Sequence, residues 1–235
     1  MNNCLVNGSR FLGLVGDVNV RGMSGTTYSD IYSLSLEKRI EEGIYYYIID
    51  EVYPTYEELI DGESVLLNYP HSLCSLNEET ISIDKDNATY KITRLYTLVE
   101  KNIILEILLE QLKDARKDAT LNGFVYKGER CVADRDAQTD IRNIYQLYID
   151  GLISDDTIYR YKVKNGVYID LDSEHNKLVK SGKQGVKDFM IAMFKFVQEE
   201  CFHKEHLLAK KWASLSSYEL AKISVFEEYK PDDYS

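Results

Sequence analysis

The sequence predicts an α+β chain, on three observations. Between Gly43 and Tyr96 apolar and polar residues alternate in short runs, the period-two pattern of strands. At Leu98 the period changes: Leu98, Leu105, Leu112 and Ala119 recur seven apart, as on one face of a helix. Beyond Thr120, two turn-centred hairpin patterns precede a long apolar stripe in steps of three and four. The 235 residues suit one large domain or two small ones. A chain of this length buries roughly 70–75% of its unfolded surface and needs neither disulfide nor metal to hold a core.

Residues 1–35 carry five of the 13 glycines (Gly8, Gly13, Gly16, Gly22, Gly25) among Asn, Ser and Thr. Glycine raises the entropy cost of ordering, and no helical or alternating period stands out. This stretch is expected to be an irregular, partner-binding segment. The run Gly16 to Thr27 has no Lys after its glycines and is not a phosphate-binding loop. A small antiparallel β-region is expected over 36–97. Ile44 to Ile49 and Ser64 to Tyr69 read as strands, with a short helical turn near Tyr56 to Ile60. Ile81 and Ile83, then Tyr90 and Ile92, alternate on either side of turn residues Asp84 to Asn87.

Residues 98–119 are expected to form a connector helix. Leu108 and Ala115 add a second apolar row, interrupted at Lys101, while Ile103, Ile104, Ile107 and Leu109 widen the face beyond a two-stranded seam. A core-facing role suits that width better than self-association. Asn122-Gly123 supplies the stop.

The domain at 120–223 reads as α+β, with two β-hairpins and a long amphipathic helix. Phe124 to Val132 is a hairpin around Lys127-Gly128, and Asp136 can cap a helix with Ala137, Ile141, Ile144, Tyr145 and Tyr148 on one side, closed by Gly151. Tyr159 to Asp172 is the second hairpin. A three-residue turn, Lys164-Asn165-Gly166, pairs Val163 with Val167 and places Tyr159, Tyr161, Val163, Val167, Ile169 and Leu171 on one face, with Arg160 facing Asp170 on the other. The helix that follows carries Val186, Phe189, Met190, Met193, Phe194, Val197, Cys201, Leu208 and Trp212. Ser216-x-x-Glu219 is a capping box for a last short helix, and 224–235 reads as an acidic tail, loose from Pro231.

Charge and composition exclude several functions. With 28 basic and 39 acidic side chains the net charge is -11, which argues against nucleic-acid binding. Residues 41–90 hold 12 acids and one base, Lys85, a solvated face or a lure for a basic partner. The apolar run Leu5 to Val20 is broken by Asn7, Arg10 and Asp17, so neither a membrane span nor a signal peptide is expected. Cys4, Cys74, Cys131 and Cys201 lie far apart and read as free thiols, mostly in the core.

Two constellations bear on chemistry. Cys201, His203, Glu205 and His206 have H-x-E-H spacing, which matches no zinc-protease pattern; Glu199, His203 and His206 could share a helical face and hold zinc, or simply be solvated. Asp134, Asp136, Gln138 and Asp140 alternate like the start of a calcium loop. Thr139 stands where glycine is required and Tyr145 where the bidentate glutamate belongs, so helix capping explains the first two aspartates more simply. No G-x-S-x-G nucleophile turn exists. Catalytic, cofactor-binding and metal residues are therefore all expected to be none, and no cofactor is expected.

Three segments carry a family likeness. They are Asn122-Gly123-Phe124-Val125-Tyr126-Lys127-Gly128 with Asp134-Arg135-Asp136-Ala137-Gln138 and Ile141; Tyr161 through Asp172; and Val197-Gln198 through Cys201-Phe202 to Glu205 and Leu208. In order and spacing the region 120–223 resembles a domain of unknown function recurrent in tailed-bacteriophage proteins encoded around the tail-fibre genes. The family commonly has tryptophan near Tyr161, serine near Ala137 and histidine around Phe196, and this chain departs at each. The resemblance implies a virion component, a tail-fibre or baseplate adaptor in the tail, assembled in the host bacterial cytoplasm. Its partners are then other phage tail or fibre proteins, in multiple copies or as a homo-oligomer, with no nucleic acid and no membrane. The alternatives are a fibre-assembly chaperone absent from the mature particle and a host-surface hydrolase.

Overall fold

The glycine-rich start of the chain is strand, which corrects the irregular segment expected over 1–35. In the computed structural model, which describes residues 2–172 and 181–230, β1 (Asn2–Asn7) and β2 (Arg10–Val15) form an antiparallel hairpin. Short pairs follow, β3 (Val20–Arg21) and β4 (Thr27–Tyr28), then α1 (Leu36–Glu41) and β5 (Ile44–Val52). β1 pairs with β5, so Cys4 and Val6 enter a core with Tyr45 on one sheet face. On the other face Val20 and Ile31 pack with Ile44. The segment thus finds its missing apolar partners in its own chain, within the unit Met1–Val99.

β6 (Thr55–Ile60) replaces the helical turn expected near Tyr56 to Ile60. It pairs antiparallel with β7 (Glu63–Asn68) across Asp61-Gly62, whose φ angles of 52° and 87° are the positive pair a two-residue hairpin turn of matching twist requires. β8 (Cys74–Asp84) and β9 (Thr89–Leu98) form the expected hairpin, with Ile81 opposite Ile92 and Ile83 opposite Tyr90. The five-stranded order is β2-β1-β5-β9-β8. β5 and β9 run parallel, so the sheet is mixed rather than antiparallel. Residues between them, including β6 to β8, supply the long crossover that a parallel pair needs.

A buried carboxylate ties the loop after β3 to the end of α1. Glu42, 1% exposed, accepts from Tyr28 Oη at 2.6 Å, Ser24 Oγ at 2.8 Å and the Ser24 backbone N–H at 3.0 Å, with Lys38 Nζ 3.2 Å away. A Cβ on Gly22 falls 2.3 Å from the Glu42 carboxylate, so only glycine leaves room. The Tyr28 bond, then the Ser24 backbone bond, lowers the Glu42 pKa from 4.5 to about 2. A depressed folded-state pKa gives stability that is complete above the unfolded value and lost as pH falls through the folded one. The urea midpoint, followed by circular dichroism, is expected to fall between pH 4.5 and 2 more steeply in the native protein than in Glu42→Gln. Parallel profiles contradict this.

The second unit, Glu100–Ser235, opens with α2 (Lys101–Asn122). Leu98 ends β9 instead of starting this helix. Ile104, Leu108, Leu112, Ala115 and Ala119 form its buried stripe, in steps of three and four. The helix stops at Gly123, at φ 76°. β10 (Phe124–Tyr126) and β11 (Glu129–Cys131) turn at Lys127-Gly128 as expected. α3 (Arg135–Ile149) is capped two residues earlier than expected: Asp134, not Asp136, accepts from the Ala137 N–H at 2.8 Å. In β12 (Tyr159–Lys162) and β13 (Tyr168–Leu171), Arg160 faces Asp170, and Val163 N donates to Val167 O at 2.8 Å, the register of the three-residue turn.

α4 (Gly182–Lys195) runs on through a π-helical stretch, Phe196–Phe202, into α5 (His203–Ala213). Val186, Phe189, Met193, Phe196, Val197, Cys201 and Trp212 are buried. Phe194, expected in this core stripe, is 58% exposed, and Met190 and Leu208 are half-buried. α6 (Ser217–Leu220) has the expected capping box. α7 (Val225–Glu228) corrects the tail expected from 224: Val225 and Tyr229 are buried, and Tyr229 Oη donates to Cys201 O at 3.1 Å. The loose tail expected from Pro231 lies outside the described residues. Among the described residues no helix is long and apolar enough to cross a membrane.

Candidate functional site

In the second unit a groove lies between α3 and α4. Gln138, Ile141 and Arg142 are spaced so that one face of α3 forms a wall. Met190, Ile191, Met193, Phe194 and Lys195 of α4 form the other, and Glu199 of the π-helical stretch lies at the rim. The groove has a volume of about 520 Å³ and opens to solvent. Its lining is chiefly hydrocarbon and thioether, and methionines adapt their shape to what they meet. Gln138 Nε2 donates to Ala133 O at 2.8 Å, which fixes that side chain at the start of α3. Arg142, Lys195 and Glu199 have no side-chain partner among the described residues, leaving two cations and one anion free at the mouth.

The helix phase explains the groove. Val186, Phe189, Met193 and Val197 occupy the core arc of α4 and its continuation, while Met190, Ile191 and Phe194 fall on the adjoining arc. Sequence reasoning placed Met190 and Phe194 in the core and did not single out Ile191, Arg142 or Lys195. The signal was present: apolar residues from Val186 to Val197 span more of the helix circumference than one packing face uses.

The two constellations weighed for chemistry are dispersed. Cys201 is fully buried, and burial pushes its thiol up to about 11. His203 and His206 are exposed, and Glu205 is bound to Arg116 at 2.6 Å. Glu199 lies at the groove rim. Asp134 caps α3, Asp136 lies in its exposed first turn, and Asp140 borders a shallow hollow with Tyr159, Tyr161 and Lys162. Tyr145, like Thr139, is part of α3. Among the described residues no three His, Cys, Asp or Glu side chains gather as a metal site. The other buried cysteines, Cys4 and Cys131, are also pushed up to about 11 by burial and are poor nucleophiles at neutral pH.

No family model matches the chain, and no curated protein or solved structure matches it either.

Proposed function

We propose that the protein is a non-enzymatic structural component of a tailed-bacteriophage particle, a tail-fibre or baseplate adaptor acting through protein–protein contacts. The observation that carries the reading is the α3–α4 groove, where Ile191 and Phe194 offer apolar surface to solvent inside a charged rim. Such a trough suits the apolar face of a protein segment, with Arg142 and Lys195 holding its acidic flank. The likeness over 120–223 supplies the tail setting, in which the partner is another tail or fibre protein.

Mass spectrometry of purified particles from the phage that encodes the chain tests this. The chain is expected among the particle proteins in an amount comparable to other tail components. Its absence from mature particles overturns the structural role and leaves that of an assembly chaperone.

A further inference from the structure

We infer that two copies of this chain join edge to edge through β2, extending the five-stranded sheet across a two-fold axis. The inference goes beyond the particle reading and does not rest on it, because the first unit alone carries the argument. The sheet has two open edges, β2 and β8. β8 bears Glu78, Glu79 and Asp84, all exposed, so pairing it with a second β8 sets like charges together, a common guard against edge pairing. β2 has no such guard. Residues 1–16 contain no acid, and Arg10 is their single charged side chain. Phe11, Leu12 and Leu14 are 38%, 48% and 58% exposed. In a chain of net charge -11, two copies can approach along this edge without mutual repulsion.

A bulge sets the register. Phe11 lies opposite Val6, Gly13 opposite Leu5 and Leu14 opposite Cys4, which leaves Leu12 as the extra residue. Phe11 and Leu14 therefore share the sheet face of Cys4 and Val6, while Arg10 and Val15 share the other. Setting Phe11 opposite Leu14 of the second copy sets Arg10 opposite its Val15. Both pairs then stay on one face, and the whole strand overlaps. Without the bulge, each pair falls on opposite faces.

The same register carries charge complementarity. Arg10 comes diagonal to Asp17 of the second copy, within reach of a long side chain. Arg10 has no side-chain partner among the described residues. Asp17 accepts from Asn3 and Tyr32 through Oδ1, which leaves Oδ2 for a guanidinium. The two-fold axis makes this contact twice.

Sedimentation velocity of the full chain over a range of concentrations tests the inference. A species of twice 27.2 kDa is expected to form as concentration rises. Leu14→Lys, at an exposed site, is expected to remain at the single-chain mass with unchanged circular dichroism. Arg10→Glu is expected to weaken association about tenfold at low salt and to recover at high salt. Hydrogen exchange is expected to show residues 10–15 protected in the pair and open in Leu14→Lys. If Leu14→Lys loses its strand signal, Leu12→Lys, at the bulge, is read in its place. A single-chain mass at every concentration overturns the inference, as does an oligomer that the Lys variants leave intact.

Discussion

Phe189→Ala is expected to cost the second unit about 3–5 kcal/mol, the range for removing a large aromatic from a packed core. Phe189 is fully buried, with ring centroids of Tyr161 at 4.7 Å, Tyr126 at 4.9 Å and Phe124 at 5.6 Å. Those three rings come from two strands, Phe124 and Tyr126 from β10 and Tyr161 from β12, so the cavity opens where both hairpins meet α4. The surroundings cannot collapse easily, because Gly185 holds α4 against Leu171: a Cβ there lies 2.4 Å from the Leu171 carbonyl. The chain has one tryptophan, Trp212, buried in this unit, so its fluorescence reports unfolding of this unit. The urea midpoint should fall far, because that cost is a large fraction of a domain's usual total stability. A midpoint within error of the native protein contradicts the packing described.

Gly123→Ala is the second large effect, expected at about 2–6 kcal/mol. Two causes add. At φ 76° and ψ −166°, a region essentially only glycine adopts, an L side chain is strained by about 1–3 kcal/mol. A Cβ at that position falls 1.8 Å from Cys131 O, so β11 must move, which costs about 1–3 kcal/mol more. Gly128→Ala separates the two causes. Its φ is 81°, yet nothing lies within 4 Å of its Cβ, so it carries the strain alone. Trp212-monitored denaturation should therefore rank Gly123→Ala well below Gly128→Ala, and equal midpoints refute the close approach.

Where one buried face admits one register, the sequence was readable. The Tyr159–Asp172 hairpin is such a case, since a two-residue turn strands half its apolar residues on the wrong side. The Ser216 capping box and the Lys127-Gly128 turn are local chemistry and were equally plain. The opening strands were not, because the turn at Gly8 and the bulge at Leu12 break their alternation within a few residues. Their burial depends on β5, some forty residues on, which no local pattern reports. The parallel pairing of β5 with β9 was hidden for the same reason: direction is set by the crossover, not by either strand.

The groove was half legible. Met190 and Phe194 stood out as apolar, but a period cannot say which of two adjoining arcs is covered. What covers the second arc is the central claim, and one measurement addresses it directly. Phe194→Glu, at a side chain 58% exposed, should leave the fold and its circular dichroism intact. Particles assembled with this variant should contain far less of the chain than those assembled with the native protein. Phe194→Glu entering particles in undiminished amount contradicts the role assigned to the groove.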